Sequence, residues 1–214
     1  MSAAVPPLEP PVLPDDFLVA IGMNAERARD IERYREFLEA ANSRTNLVGA
    51  STLGDFERRH VVDSAQLVWF EPSTLTWADL GSGAGLPGIV LAILMKGRAG
   101  GHVHLVESMA KRCRFLAEVA SALALPVTLH HGRAETMSIS VDVVTARACA
   151  PLPRLLGFAQ PFFVRGARGL FLKGQDVDNE IQEARKHWWF SSRTLESLSD
   201  SRGRLLAVEG LRHV

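Results

Sequence analysis

The stretch Asp79-Leu80-Gly81-Ser82-Gly83-Ala84-Gly85-Leu86-Pro87-Gly88 decides how this chain is read. It follows a β-rich run at 75–80 and opens an apolar segment that reaches Met95. It is therefore a turn from a strand into a helix, with Pro87 suited to the first helical turn. Its glycines supply a tight turn and bring backbone N–H groups close to a ligand without a Cβ in the way. From Gly83 onward the residues also satisfy G-x-G-x-x-G, which on its own admits a dinucleotide.

Two acids narrow the ligand. Glu107 closes the next β-rich run, where a carboxylate can accept both hydroxyls of a ribose, a group shared by nicotinamide dinucleotides and S-adenosylmethionine. Asp79 stands directly before the glycines, where its charge repels a pyrophosphate but suits the cationic end of a methionine moiety. A sulfonium cofactor without phosphates is favoured. No G-x-x-x-x-G-K-[ST] occurs, so a P-loop nucleotidase is not expected.

Outward from the loop, β-rich runs at 75–80, 102–107, 127–130, 141–146, 169–172, 193–198 and 204–208 alternate with helical stretches near 87–95, 110–123, 153–163 and 177–187. The alternation predicts an α/β fold with a mostly parallel, doubly wound sheet covered on both faces. The last two runs are separated only by 199–203, which predicts an antiparallel hairpin at the sheet edge. Upstream, Asn24 is a candidate N-cap, and Ile31, Tyr34, Leu38 and Ala41 recur at helical steps; a second helix is expected over 52–69. Three segments result: a proline-rich, flexible arm at 1–23, a helical region at 24–71, and the main α/β domain at 72–214.

The 214 residues, 47% apolar and 22% charged, fit one globular unit and exclude a coiled coil, collagen or a disordered chain. Cys113 and Cys149 are isolated thiols, which points to a reducing, cytoplasmic compartment. Lys plus Arg and Asp plus Glu both number 24, so any attraction to nucleic acid must come from a local patch. The first basic residue is Arg27, so no signal or transit peptide is expected. The most apolar run, 89–95, is far shorter than the ~18 residues a bilayer requires, so no membrane association is expected.

Six elements occur in order: Asn46-Leu47-Val48, Arg59-His60-Val61-Val62-Asp63-Ser64, Asp79 to Gly88, Gly132-Arg133-Ala134-Glu135, Ala146-Arg147-Ala148 and Leu172-Lys173-Gly174-Gln175. Together they resemble the bacterial small-subunit (16S) ribosomal RNA guanine-N7 methyltransferases, the glucose-inhibited division protein B family, from about Tyr34 to the C-terminal hairpin. The resemblance implies a Rossmann-like class I methyltransferase fold, S-adenosylmethionine as methyl donor leaving S-adenosylhomocysteine, and a guanine of small-subunit ribosomal RNA, free or in the particle, as acceptor. It implies that Gly81 and Leu86, with Gly83 and Gly85 of the same loop, line the cofactor pocket, that Ala134 and Glu135 flank the adenine, and that Arg147 closes the pocket near the acceptor. Arg147 and Lys173 are the candidate catalytic residues; Asn46, His60, Arg133 and Lys173 are candidates for contact with RNA. Arg204-Leu205 departs from the Arg-His of many relatives, which puts an RNA contact at position 205 in doubt. A monomer without a metal is expected.

Guanine N7 carries a lone pair at neutral pH, so it can attack a sulfonium methyl in line without losing a proton, and no general base is required. Catalysis then rests on proximity and orientation. Arg147 and Lys173 are expected to grip phosphate or the guanine O6 edge. The Asn/Asp-Pro-Pro-Tyr/Phe element of enzymes acting on exocyclic amines is replaced here by Arg147-Ala148-Cys149-Ala150-Pro151, which favours a ring nitrogen. Cys149 admits a cytosine-C5 mechanism through a thiolate, but a small thiol packed under the loop is the simpler expectation.

Two other classes stay open: a nicotinamide-dependent oxidoreductase, which lacks a visible Tyr-x-x-x-Lys, and a cofactor-binding module without chemistry. His102, His104, His130 and His131 are expected to be half-buried strand histidines, since no third ligand has metal spacing. Arg58-Arg59-His60, Lys111-Arg112 with Arg114, and Arg165 with Arg168 are candidate basic patches that would form a phosphate-binding rim if they converged. Trp188-Trp189-Phe190 is expected to end a helix docked on the sheet.

Overall fold

Strand β1 (Thr76–Leu80) lies inside a sheet whose order is β3-β2-β1-β4-β5-β7-β6, with β2 (His102–Glu107), β3 (Val127–His131), β4 (Val143–Arg147), β5 (Arg168–Lys173), β6 (Trp188–Glu196) and β7 (Arg204–His213). The computed structural model describes residues 12–45, 47–49 and 54–214; Asn46 and the first eleven residues lie outside them. β1 to β5 run parallel, and β7 enters antiparallel between β5 and β6, which places β6 at the edge. Chain order reverses outward from β1 and β4. In an open parallel sheet that is where the crevice beyond the carboxyl ends of the strands opens for a ligand.

The helices are α1 (Phe17–Ala20), α2 (Ala25–Thr45), α3 (Asp63–Phe70), α4 (Gly88–Met95), α5 (Ala110–Ala122), α6 (Leu152–Phe163) and α7 (Val177–Ala184); a π-helical turn, Glu57–Val62, leads into α3. Asn24 caps α2 as its side chain suggests, its Oδ1 accepting the Arg27 amide proton at 2.9 Å. Tyr34 and Leu38 on the expected face of α2 are fully buried.

Alternate residues of the strands feed two cores. Trp77, Leu105, Leu170 and Leu205 face the cluster containing α4, while Ala78, Leu80, Phe171 and Leu206 face the one containing α6. Every residue of α4 is buried. A helix apolar all round must be covered on both sides; the sheet covers one side of α4, and the N-terminal helices share its cluster on the other. The helical N-terminal region and the α/β unit therefore have a common core. Lys96, just after α4, pairs with Asp30 of α2 at 2.8 Å, and Arg27 donates to the Lys96 carbonyl at 2.6 Å, which fixes this docking. Phe17 and Ile21, within the stretch read as a flexible arm, are buried in that core as well.

Two expectations are corrected. Trp188-Trp189-Phe190 does not end a helix: α7 stops at Ala184, and these residues begin β6, where Trp188 lies opposite His213 and Trp189 opposite Arg212. The strand that pairs with them lies at the C-terminus, so local sequence carried no sign of it. Arg165 and Arg168 do not join a rim at the loop. Arg168 is the first residue of β5, opposite Val143 at the start of β4, at the other end of the sheet, where it binds Glu71.

Candidate active site

Backbone turns set the glycine loop, and groups from three elements brace it. The Gly81 and Ser82 amides donate to the Val106 carbonyl at 2.8 and 3.1 Å, tying the end of β1 to β2. Gly81, Gly83 and Gly85 have φ of +68°, +56° and +94°, a region L-residues with a Cβ rarely enter. Glu107 is almost fully buried; its Oε2 accepts the Gly83 amide proton at 3.0 Å and its Oε1 that of Met109 at 2.8 Å. Tyr34 reaches from α2 to donate its hydroxyl to the Ala84 carbonyl at 2.8 Å. The only tyrosine is thus a buried brace, and burial pushes its pKa up, so it does not serve as a hydride-transfer acid.

Asp79 is fully buried and its Oδ2 accepts the Gly88 amide proton at 3.0 Å, at the N-terminus of α4, where a carboxylate also meets the positive end of the helix dipole. A Cβ on Gly88 would lie 2.3 Å from Leu105 and 2.6 Å from that same oxygen, so glycine is required there. Asp79 Oδ1 has no partner. Burial pushes the Asp79 pKa up to about 7, against the Gly88 hydrogen bond and the Arg147 charge; the Ser82 hydroxyl donates to the Asp79 backbone carbonyl at 2.9 Å.

Beside the loop opens a cleft of about 520 Å³ bordered by Gly81, Ser108, Arg133, Ala134, Glu135 and Cys149. It brings together two of the six segments, the glycine loop and residues 132–135, with Cys149 just past a third. Ala134 and Glu135 sit on a 3₁₀ turn (Ala134–Thr136), and Arg133 pairs loosely with Glu135 at 3.6 Å. Leu86 and Gly85 are placed differently: Leu86 is buried in the core, and a Cβ on Gly85 would strike Ile89 at 2.4 Å, so Gly85 serves the packing of loop on helix.

Ala148 adopts a φ of +49°, a strained conformation for a residue with a Cβ, and turns Cys149 under Gly81. Burial, then Asp79 and Glu107, push the Cys149 thiol pKa up, which withholds the thiolate a covalent route needs. Cys149→Ala is expected to keep turnover within about threefold in a methyl-transfer assay, less than one step of about 1.4 kcal/mol; a loss above a hundredfold would restore the nucleophile.

Arg147, the last residue of β4 and two residues before Cys149 of this cleft, lines a second depression of about 310 Å³. Its Nη1 donates to Asp63 Oδ2 at 3.2 Å, the Arg59 carbonyl at 3.1 Å and His60 Nδ1 at 3.2 Å. His60 is buried, and burial followed by the Arg147 and Arg59 charges lowers its pKa to about 4. It is a neutral acceptor for Arg147. Asp63 Oδ1 accepts the Ser199 hydroxyl proton at 2.6 Å, which links α3 and Arg147 to the β6–β7 turn.

Lys173 lies closer to structure than to solvent. Its ammonium is nearly buried, 2.6 Å from Glu180 Oε2, and the same oxygen accepts the Leu152 amide proton at 2.6 Å. Lys173 therefore steadies the start of α6 through Glu180. Leu205 is fully buried opposite Leu172, so position 205 contributes to the core and not to a surface contact.

The family model for rRNA small subunit methyltransferase G (GidB) matches residues 27–206. The chain belongs to the GidB family. Curated relatives named "Ribosomal RNA small subunit methyltransferase G" include one from Caulobacter vibrioides (strain NA1000 / CB15N), 54% identical over 198 residues and 92% of each chain. Another, from Methylorubrum populi, is 42% identical over 90% of this chain and 92% of its own. Among solved structures, the SAH-bound Podospora anserina methyltransferase PaMTH1 superposes with a TM-score of 0.59 at 10% identity, covering 92% of this chain and 97% of that one. The Bacillus cereus O-methyltransferase in complex with SAH gives 0.58 at 16% identity over 92% and 96%. These likenesses show the class I methyltransferase fold.

Membership in the GidB family accounts for the order of the motif segments but leaves their division of labour to the geometry. Asp63, Ser199 and Glu180 hold Arg147 and Lys173 in place, yet only Asp63 lay in a segment singled out from sequence. His102, His104 and His130 form a half-buried chain in which His104 Nδ1 and His130 Nε2 are 3.0 Å apart, and burial lowers the His104 pKa to about 4. Among the described residues, no group of three or more His, Cys, Asp or Glu could hold a metal, and no helix is long and apolar enough to cross a membrane.

Proposed function

We propose that this protein transfers the methyl group of S-adenosylmethionine to N7 of a guanine in small-subunit ribosomal RNA, with the cofactor in the cleft beside Gly81 and the acceptor entering past Arg147. Asp79 carries the reading: a fully buried carboxylate directly before the glycine turn, one oxygen pinned by the Gly88 amide and the other without a partner. A buried acceptor left unpaired is costly. A cation held beside the glycine turn would favour the ionised form of Asp79 through space, whereas a pyrophosphate there would add like charge.

S-adenosylmethionine supplies an electrophilic methyl on a positively charged sulfur. Each Glu107 oxygen keeps a lone pair beyond its backbone bond, enough to receive ribose hydroxyls. Ala134 and Glu135 border the cleft where the adenine would sit. On the acceptor side Arg147 is already oriented by Asp63 and His60, so a guanine or phosphate would meet a preorganised guanidinium. His60 stays neutral and engaged at neutral pH, in keeping with chemistry that needs no base. Incubation with labelled S-adenosylmethionine and small subunits from cells lacking the protein, followed by mass-spectrometric mapping, should give a 7-methylguanine. Methyl on an exocyclic amine, or none, would refute the reading.

A pH dependence follows from Asp79. Its folded pKa of about 7 lies above the value near 3.9 of an unfolded chain, so its contribution to the stability of the free protein is complete below about pH 4 and lost as pH rises through about 7. A cationic cofactor favours the ionised form. Cofactor affinity should therefore climb up to tenfold per pH unit below about 7 and level off above it, with proton release seen by calorimetry in two buffers. Asp79→Asn should flatten that slope, while turnover at saturating cofactor stays nearly flat from about pH 6 to 8.

A further inference from the structure

Five cations line the two adjoining depressions on the Arg147 side of the sheet against three carboxylates, so this face is positive in a chain of zero formal charge. Three of the five are committed within the fold. Arg147 is held by Asp63, Lys173 by Glu180, and Arg204 turns its Nη1 onto the carbonyls of Ser201 and Gly203 at 2.8 and 2.7 Å. Arg59 and Arg202 are different. Their side chains are 42% and 61% exposed, and both meet Asp200 in solvent: Arg59 reaches Oδ2 at 3.3 Å, while Arg202, two residues along the same turn, reaches Oδ2 and, through Nε, Oδ1, each at 3.3 Å.

Arg59 comes from the π-helical turn before α3 and Arg202 from the β6–β7 turn, so two remote segments bring two guanidinium groups onto one oxyanion. Asp200 marks a position at which this fork already receives a planar, negatively charged pair of oxygens. At 3.3 Å and open to solvent these pairs are longer than charge-assisted hydrogen bonds and contribute little, whereas an arginine meeting a phosphate dianion or diester makes short, charge-assisted bonds. The fork stands at the rim of the depression that Arg147 also lines, which neither Asp79 nor the glycine loop borders. A place on the backbone phosphates suits the chemistry, since a bare cation beside the purine would oppose the positive charge arriving there.

We propose that Arg59 and Arg202 form a fork that grips the RNA backbone phosphates flanking the acceptor base, with Asp200 holding the two arginines together until RNA replaces it. The proposal rests on the RNA-methylating reading above, which it extends to a docking surface. It also accounts for how a chain with no net charge engages a polyanion: the attraction is concentrated in a few exposed guanidinium groups and not spread over the molecule.

The test is the double variant Arg59→Ala/Arg202→Ala of the full chain, assayed for methyl transfer to small-subunit RNA from cells lacking the modification. The Michaelis constant for RNA should rise about tenfold near 0.1 M salt, and the slope of log affinity against log salt should fall by about 1.4, two phosphate contacts at about 0.7 each. Cofactor affinity should stay within about twofold and the melting temperature should be unchanged, because both side chains face solvent. Arg59→Lys/Arg202→Lys should recover most of the salt slope, since each lysine still delivers its charge. An unchanged Michaelis constant and slope in the alanine variant, with wild type active, would overturn the fork alone. A parallel loss of cofactor affinity or folding would assign the arginines a structural role and overturn it too. Wild-type protein that methylates no small-subunit RNA would overturn the parent reading and the fork with it.

Discussion

Gly81→Val is expected to abolish cofactor binding, lowering affinity by a hundredfold or more while leaving a folded chain. Gly81 borders the cleft and has a φ of +68°, and a Cβ built on it would lie 2.7 Å from Cys149 Sγ. A β-branched residue pays roughly 1–2 kcal/mol for the left-handed conformation alone, and relief of the clash must move either the turn or the segment that follows Ala148. Both movements displace groups that border the cleft. Two powers of ten in affinity correspond to about 2.8 kcal/mol, the range these two effects reach together. Calorimetry with S-adenosylmethionine reads the loss, and a melting curve separates it from unfolding. Adding Cys149→Ala to the valine variant should restore part of the affinity, because it removes the atom the new side chain strikes. Undiminished binding by Gly81→Val would mean that the cofactor does not occupy this cleft.

Arg147→Ala should lower kcat/KM by about a hundredfold or more with the fold intact, a loss of about 2.7 kcal/mol of transition-state stabilisation. The guanidinium is held by Asp63, His60 and the Arg59 carbonyl, and its side chain is 21% exposed, enough to meet a ligand. Its removal takes away a cation that Asp63 and His60 orient at the depression beside the end of β4. Arg147→Lys should recover little, because a single ammonium cannot satisfy three acceptors spread over two elements while meeting the acceptor as well. Asp63→Asn provides the internal comparison. It leaves Arg147 present but less firmly oriented, so its loss should be smaller and fall mainly on kcat. Methyl transfer unchanged in Arg147→Ala would remove this residue from the site.

The glycine loop and the sheet were legible because each rests on short-range rules. A strand, a glycine turn and an apolar helix in immediate succession have few other packings, and Asn24 advertises its cap three residues ahead of the amide it binds. The hairpin that closes the sheet was equally visible, although its first strand begins five residues earlier than local propensity suggested, because Trp188 answers to His213 and not to its neighbours. The candidate site was legible in its residues but not in their duties. Lys173 looked like a free cation for phosphate, yet it is nearly buried against Glu180. Arg58-Arg59-His60 looked like one patch, but His60 is a neutral, buried acceptor while Arg59 faces solvent.

The amino-acid order by itself determined the fold class, the cofactor-type turn and the acid that precedes it, since each depends on residues adjacent in the chain or one helical turn apart. Only the tertiary structure decided which charges are spent inside the protein and which remain for a ligand. Arg147 finds Asp63 from 84 positions away, Tyr34 braces Ala84 across 50, and Arg59 meets Asp200 across 141. The physical reason is that an ion pair or buried hydrogen bond depends on distance in space, and the folding of the sheet sets that distance without leaving any periodic trace along the sequence.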